Sequence, residues 1–120
     1  MELYIGGRAQ GKTDYVRRVT GLDAVDCTPE EALKEKAVNH FHLTVRRLLL
    51  DGGDPETFAR ALLARNPEAV IICDEVGMGV VPVDPFERYW RESVGRAVCI
   101  LAGAASRVER INCGLPLRLK

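Results

Sequence analysis

The segment from Gly6 to Thr13 has the residue types and the spacing of a phosphate-binding loop. It runs Gly-Gly-Arg-Ala-Gln-Gly-Lys-Thr. Glycines let backbone N–H groups approach phosphate oxygens without a Cβ in the way. Lys12 can reach the β and γ phosphates, and the Thr13 hydroxyl can hold Mg²⁺. The motif therefore predicts a nucleoside triphosphate site, and its nucleotide-binding residues are Gly6, Gly7, Arg8, Ala9, Gln10, Gly11, Lys12 and Thr13.

Two carboxylates follow the most apolar stretch of the chain. Residues 69–73 are Ala-Val-Ile-Ile-Cys, and Asp74 and Glu75 come directly after them. This is the form of a Walker B strand, in which Asp74 would contact Mg²⁺, directly or through water, and Glu75 would orient an acceptor or a water molecule. The alternative is a pair of carboxylates that merely ends a strand in solvent. The phosphate loop nearby favours the chemical interpretation for this pair.

The two histidines of the chain, His40 and His42, are separated by one residue. On a strand this spacing would put both rings on one face, as a metal or a phosphate requires. An H-x-H pattern alone is weak evidence for a metal site. We therefore expect two half-exposed imidazoles near the ligand end of the sheet.

Strands and helices are predicted to alternate along the chain. The phosphate loop lies between an apolar run and a helix that begins at Lys12, and continuous β-branched residues at 69–73 indicate a strand covered on both faces. Residues 37–41 could open a strand or begin the helix over 43–50. The predicted strands are 2–5, 23–27, 69–73 and 108–113, the predicted helices are 12–19, 29–36, 43–50, 54–65 and 85–105, and residues 115–120 form an extended tail.

This alternation predicts an α/β layer sandwich with a mostly parallel sheet. Ligands of such sheets bind outside the carboxyl ends of the strands, so the loop and the Asp74–Glu75 pair can share one site. The spacing of Phe86, Trp90, Val94, Ala97, Leu101 and Ala104 predicts an apolar helix stripe that packs in the core.

Length and composition set further limits. A chain of 120 residues suggests one domain, residues 1–120. Its 17 basic and 17 acidic residues balance, which argues against a nucleic-acid partner. No apolar run approaches the ~18 residues of a membrane span, and Met1 leads directly into a strand, so we expect a cytoplasmic protein. The four cysteines include no C-x-x-C pair and are expected to be buried free thiols.

The second half of the chain resembles a known family. Residues 74–82, Asp-Glu-Val-Gly-Met-Gly-Val-Val-Pro, are similar to the N-E-V-G-M-G-I-V-P signature of the adenosylcobinamide kinase/adenosylcobinamide-phosphate guanylyltransferase family of cobalamin biosynthesis. The likeness continues through Tyr89-Trp90-Arg91 and Gly95-Arg96 to the terminal Gly114, Pro116 and Lys120. The phosphate loop is similar to the family's G-G-x-R-S-G-K-S.

The resemblance implies a RecA-like P-loop NTPase fold, a three-layer sandwich reduced in size here, which often assembles as a trimer. It implies Mg²⁺ with ATP or GTP, and a kinase that phosphorylates the aminopropanol hydroxyl of a corrinoid, adenosylcobinamide. It also implies a second step, the transfer of GMP from GTP through a guanylylated histidine.

The chain departs from the family pattern in two places. The region from Gly21 to Lys36 is short and contains no histidine, so guanylyl transfer is predicted to be lost. The family's acidic residue in a string like D-C-L-T falls on Asn39, which lacks the charge that holds Mg²⁺. Asp74 stands where the family usually has Asn, so we hypothesise that Asp74 replaces the missing charge.

Three functions therefore stay open. The leading one is an adenosylcobinamide kinase-like enzyme in which Lys12 and Glu75 are catalytic, while Thr13 and Asp74 hold the metal through the nucleotide. The second is a relative that binds nucleotide or corrinoid without turnover. The third is a stand-alone NTPase in which Glu75 orients water.

Overall fold

A six-stranded sheet forms the centre of the molecule in the computed structural model, which describes residues 1–77 and 79–120. Met78 of the signature string lies outside the described residues. The strand order is β2-β3-β4-β1-β5-β6. Strands β1 to β5 run parallel, and β6 pairs antiparallel with β5. The strands are β1 (Glu2–Gly6), β2 (Val25–Asp26), β3 (Ala37–Asn39), β4 (Val70–Asp74), β5 (Arg107–Asn112) and β6 (Leu115–Arg118).

Helices cover both faces of this sheet. Neighbouring residues on a strand point to opposite faces, and Leu3 and Ile71 accordingly belong to one apolar cluster while Tyr4 and Ile72 belong to another. The first cluster includes residues of α2 to α5, and the second includes residues of α1. The helices are α1 (Lys12–Thr20), α2 (Pro29–Ala32), α3 (Phe41–Leu50), α4 (Pro55–Arg65) and α5 (Pro85–Ala104). The predicted three-layer α/β fold with a mostly parallel sheet is confirmed.

The ambiguous residues 37–41 contain both predicted elements in succession. Strand β3 ends at Asn39, and helix α3 begins at Phe41. The change of direction falls on His40, whose φ of 50° is left-handed. Helix α3 therefore starts two residues before the predicted position, and the two histidines do not share a strand.

Other boundaries differ more modestly. Helix α2 ends at Ala32 and not near Lys36, although its predicted start is confirmed by the reciprocal capping box between Thr28 and Glu31. The C-terminal segment is not a free tail, because β6 forms a hairpin with β5. The hairpin pairs residues 115–118 with residues 109–112, which local sequence alone does not indicate.

Some predictions of burial were wrong. Cys73 is buried, but Cys99 and Cys113 are exposed, because one lies on the outer face of α5 and the other in the hairpin turn. In the stripe of α5, Val94, Ala97 and Leu101 are buried, whereas Ala104 is exposed and Phe86 and Trp90 are only partly covered. No helix within residues 1–77 and 79–120 is long and apolar enough to cross a membrane.

Candidate functional site

A cleft of about 730 Å³ opens at the carboxyl ends of β1, β3 and β4. Three segments line it: the phosphate loop with the start of α1, the end of β3 with the start of α3, and the end of β4 with one side of α5. The lining residues are Arg8, Ala9, Gln10, Gly11, Lys12, Thr13, Asp14, Asn39, His40, His42, Leu43, Asp74, Glu75, Val76, Trp90 and Arg91. The structure thus brings residues 8–13 of the predicted loop and the two predicted carboxylates into one site, whereas Gly6 and Gly7 do not line the cleft.

The phosphate loop depends on its glycines at two points. A Cβ on Gly6 would lie 2.4 Å from the backbone oxygen of Ile111 in β5, so only glycine lets β1 and β5 pack at this point. Gly11 is the N-cap of α1 and has a left-handed φ of 86°, which favours glycine. Gly6 therefore ends β1 against the sheet, and Gly11 turns the chain into α1, whose first N–H groups border the cleft.

A second support for the loop comes from the β5–β6 hairpin, which sequence reasoning missed. Gln10 accepts from two consecutive amides of the hairpin turn: its side-chain Oε1 from Cys113 N at 2.8 Å, and its backbone oxygen from Gly114 N at 2.8 Å. The Gln10 side chain is thus oriented by the hairpin. The contact joins residues far apart in sequence, so no local pattern could have revealed it.

Lys12 is buried and holds two oxygens of the protein. Its Nζ donates to the backbone oxygen of Gly7 at 2.7 Å and lies 2.7 Å from Asp74 Oδ1. The pairing follows from the sheet register, which places Gly6 of β1 opposite Asp74 of β4. The two predicted residues therefore meet as an ion pair at the base of the phosphate loop.

The other oxygen of Asp74 faces His42. His42 Nε2 lies 3.5 Å from Asp74 Oδ2, and His42 Nδ1 accepts from the Asp74 backbone N–H at 3.2 Å. The expectation of two half-exposed imidazoles was wrong for His42, whose side chain is only 7% exposed. Burial lowers the pKa of His42, and the nearby Asp74 carboxylate opposes that shift only in part.

His40 and Asn39 lie at the rim of the same cleft. His40 Nδ1 is 2.7 Å from Asp26 Oδ1 at the end of β2, and its side chain is 41% exposed. Asn39 Oδ1 accepts from the His40 backbone N–H at 3.0 Å. Asn39 thus stabilises the left-handed turn into α3 with the oxygen that a metal would otherwise use.

Glu75 points to a different partner from Asp74. Its Oε2 lies 3.0 Å from Arg110 Nη2 on β5, and its backbone N–H donates to the oxygen of Gly6 at 2.9 Å. Arg110 Nε is buried without a hydrogen-bond partner among the described residues. Glu75 lines the cleft while Arg110 balances its charge, so its carboxylate is held at the edge of the site.

Helix α5 contributes a wall of the cleft through Trp90, which the predicted stripe assigned to core packing, and through Arg91. Trp90 Nε1 donates to the backbone oxygen of His42 at 2.8 Å. Arg46 of α3 stacks 4.9 Å from the Trp90 ring centroid and forms two hydrogen bonds with Glu87, at 3.1 and 2.6 Å. Arg91 donates to the backbone oxygen of Val80 at 2.7 Å. Trp90 is therefore held between α3 and the cleft, and Arg91 is hydrogen-bonded to Val80 of the signature string.

The donor set of the cleft fits a hard divalent cation bound together with a nucleotide. Thr13 and Asp74 supply a hydroxyl and a carboxylate, and Mg²⁺ prefers a few such oxygens completed by phosphates and water. Among the residues described, no cluster of three or more His, Cys, Asp or Glu side chains could hold a metal without the nucleotide. The arrangement thus provides a phosphate loop, an acidic group beside it and a second carboxylate within one cleft.

Comparison with known proteins places this cleft in a family context. The family model described as cobinamide kinase / cobinamide phosphate guanyltransferase matches residues 51–119. The chain belongs to this cobinamide kinase family. The matched segment supplies α4, β4, α5, β5 and β6, and therefore both strands that flank β1 and its phosphate loop.

Two members of the cobinamide kinase family show how much of the chain is related. The bifunctional adenosylcobalamin biosynthesis protein CobU of Salmonella typhimurium is 25% identical over 120 positions, which cover 87% of this chain and 66% of that protein. The protein of the same name from Escherichia coli is 36% identical over 53 positions, which cover 44% of this chain and 29% of that protein. The chain thus spans just under two thirds of one relative and under a third of the other.

Proposed function

We propose that this protein is a kinase that binds Mg²⁺ with ATP or GTP and phosphorylates the aminopropanol hydroxyl of adenosylcobinamide. One observation carries the proposal. The cleft is lined by residues 8–14, which belong to the phosphate loop and the start of α1. It is also lined by Asp74, Glu75, Trp90 and Arg91, which lie in the segment matched by the cobinamide kinase family. The γ phosphate of a nucleotide bound to the loop would therefore face cleft residues that belong to the matched segment.

The proposed reaction assigns a role to each polar group of the cleft. The acceptor hydroxyl attacks the γ phosphorus, and the bond from that phosphorus to the β–γ bridging oxygen breaks, which leaves a nucleoside diphosphate. Lys12 and the loop amides stabilise negative charge on the transferred phosphoryl group. Glu75 orients the hydroxyl and accepts its proton. Thr13 and Asp74 would hold Mg²⁺, which neutralises phosphate charge when bound.

The protein must rearrange locally for this function. The Lys12 side chain would move so that Nζ, now 2.7 Å from Asp74 Oδ1, contacts the phosphates. Asp74 would then be free to face the cation. The Asp74 carboxylate keeps a cationic partner through the exchange, because Mg²⁺ would take the place of the Lys12 ammonium. It also gives Asp74 the role that the resemblance assigns to an acidic residue at the position of Asn39.

A labelling assay tests the proposal. The protein is incubated with adenosylcobinamide, Mg²⁺ and γ-labelled ATP, and in parallel with γ-labelled GTP. Label on the corrinoid is the expected result, and Lys12→Ala should remove it. Free labelled phosphate in place of labelled corrinoid would overturn the proposal in favour of a stand-alone NTPase.

A second candidate is nucleotide or corrinoid binding without turnover. The pairing of Lys12 with Asp74 and of Glu75 with Arg110 favours it, because both polar groups needed for transfer are neutralised within the protein. Binding of nucleotide with neither labelled product would support this candidate and contradict the kinase.

Assembly as a trimer is also part of the proposal, and sedimentation velocity with and without nucleotide would measure it.

A further inference from the structure

We propose that His42 is a positioning residue that holds the Asp74 carboxylate in place while Lys12 moves from that carboxylate to the nucleotide phosphates. The inference rests on the proposed function, because the movement of Lys12 requires a nucleotide. It adds a residue that neither the phosphate loop nor the signature string includes.

One imidazole, that of His42, contacts both the backbone and the side chain of Asp74. Nδ1 lies 3.2 Å from the Asp74 amide nitrogen, and Nε2 lies 3.5 Å from Oδ2. An N–H group can donate only to an unprotonated ring nitrogen, so the proton of the neutral ring is on Nε2 and faces the carboxylate. One ring nitrogen is therefore hydrogen-bonded to the Asp74 amide, and the other lies within 3.5 Å of the Asp74 carboxylate.

The His42 ring is itself held in place by the fold. The His42 backbone oxygen accepts from Trp90 Nε1 at 2.8 Å, and the two ring centroids are 6.3 Å apart. The ring centroid of His40 is 5.5 Å from that of His42, and the two rings meet edge to face. Helices α3 and α5 thus place the imidazole independently of any ligand.

Asp74 would lose one of its two side-chain partners when Lys12 leaves. The Asp74 side chain is only 18% exposed, and in the described part of the chain Lys12 and His42 are the two side chains at its carboxylate. A largely buried carboxylate without a partner is unfavourable. His42 would keep a donor at Oδ2 after Lys12 has left Oδ1, and it would leave Oδ1 turned toward the phosphate loop.

The protonation state supports the same geometry. Burial lowers the pKa of His42, and the positive charge of Lys12 and the neighbouring His40 lower it further, whereas Asp74 and Asp26 raise it. A lowered pKa agrees with an unprotonated Nδ1, which is what the hydrogen bond from the Asp74 amide requires.

One test does not require nucleotide. Two-bond ¹H–¹⁵N correlation spectra of the protein at neutral pH report which imidazole nitrogen carries the proton. The expected result is one histidine in the neutral Nε2–H form, assigned to His42 by its disappearance in His42→Gln. A protonated Nδ1 in His42 would overturn the inference, because that nitrogen could not accept from Asp74.

A second test measures the affinity of a ribose-labelled fluorescent ATP in Mg²⁺ and in EDTA. His42→Ala should weaken binding in Mg²⁺ by about tenfold, the lower end of what outer partners of metal ligands contribute, while binding in EDTA changes little. His42→Gln keeps an N–H donor and should recover part of the loss. The matched control is Thr44→Val, which removes one buried hydrogen bond from the same helix, Oγ1 to Cys27 O at 2.9 Å, outside the cleft.

The outcomes separate this inference from the proposed function. If the wild type binds nucleotide and His42→Ala binds it equally well in Mg²⁺, while melting earlier as Thr44→Val does, His42 is only structural and the inference fails alone. If the wild type binds no nucleotide, the proposed function fails and the inference fails with it. If His42→Ala does not fold, the comparison of His42→Gln with the wild type decides the matter by the same criterion.

Discussion

Lysine and aspartate form an ion pair in the cleft, and this contact would compete with a metal bound at the carboxylate. Lys12 Nζ is 2.7 Å from Asp74 Oδ1 and shares that carboxylate with His42 on the other side. A nucleotide would compete with Asp74 for Lys12, and a nucleotide-bound cation would compete with Lys12 for Asp74. Removing the carboxylate should therefore act in opposite directions with and without the metal.

Asp74→Asn tests this competition. In EDTA the variant should bind ATP as tightly as the wild type or more tightly, because Lys12 no longer has a carboxylate partner. In Mg²⁺ it should bind about tenfold more weakly or worse, because one of the proposed oxygen ligands has lost its charge. Isothermal titration calorimetry under both conditions measures both effects.

The matched control for this change is Asp51→Asn. Asp51 is exposed at the end of α3 and pairs with Arg47 at 3.2 Å, so the control loses a surface charge away from the cleft. Its affinity should equal that of the wild type in both conditions. Unchanged Mg²⁺-dependent affinity in Asp74→Asn would refute the hypothesis that Asp74 replaces the charge missing at Asn39.

Secondary structure elements position these residues, and some of that positioning could be predicted from the sequence. The strand before the phosphate loop, the helix after it and the buried strand β4 each depend on short runs of residues, so local patterns indicated them. Because the carboxyl ends of parallel strands lie at the same edge of a sheet, the loop and Asp74 could also be predicted to share one site.

The remaining contacts depend on packing between elements distant in sequence. His42 reaches Asp74 only because α3 begins immediately after a left-handed residue, and a pattern of alternating polar residues does not specify that turn. Trp90 fits the apolar spacing of α5, yet it also lines the cleft, because the first turns of that helix extend beyond the core. Sequence periodicity identifies an apolar face, but it does not say where the neighbouring elements end.

Gly6 is where the packing of whole elements can be tested by one added methyl group. In Gly6→Ala the new Cβ would meet the Ile111 backbone oxygen at 2.4 Å, so β1 and β5 must move apart. Overpacking of this kind lowers the free energy of unfolding by about 1–3 kcal/mol. The displaced loop should also lose affinity for ATP. Urea denaturation followed by circular dichroism measures the first effect.

Gly103→Ala is expected to have the opposite effect, an increase in the free energy of unfolding. A Cβ on Gly103 in α5 would meet nothing within 4 Å, and alanine in place of a helical glycine stabilises by about 0.5–1 kcal/mol. Equal stabilities for the two variants would contradict the close approach of β1 to β5. Loss of stability in Gly6→Ala without loss of ATP affinity would separate the strand contact from the loop.

At the scale of the whole molecule, the family-matched segment and the phosphate loop are interleaved. Strand β1 lies between β4 and β5, which both belong to residues 51–119. The part of the molecule that would carry phosphoryl transfer is therefore built into the centre of the sheet. The stretch from Gly21 to Lys36 lies toward the β2 edge and contains only the short β2 and the four-residue α2.

This distribution predicts that guanylyl transfer through histidine is absent. The chain contains two histidines, and neither lies between Gly21 and Lys36. His42 is buried, with Nδ1 engaged by the Asp74 amide. His40 Nδ1 lies 2.7 Å from Asp26 Oδ1, and the residue lies at the rim of the cleft. A covalent GMP adduct would need a ring nitrogen that can approach the α phosphate in line, and the buried ring of His42 is not free to do so.

The measurement uses GTP labelled at the α phosphate, incubated with the protein and Mg²⁺ and then quenched in alkali, where a histidine phosphoramidate would survive. The expected result is unlabelled protein of unchanged mass, in a sample that phosphorylates adenosylcobinamide from γ-labelled GTP. The second reaction shows that GTP reached the cleft, so absence of label reports on the histidines and not on binding. Acid-labile label that disappears in His40→Ala would instead show that a histidine at the end of β3 has taken over the transfer.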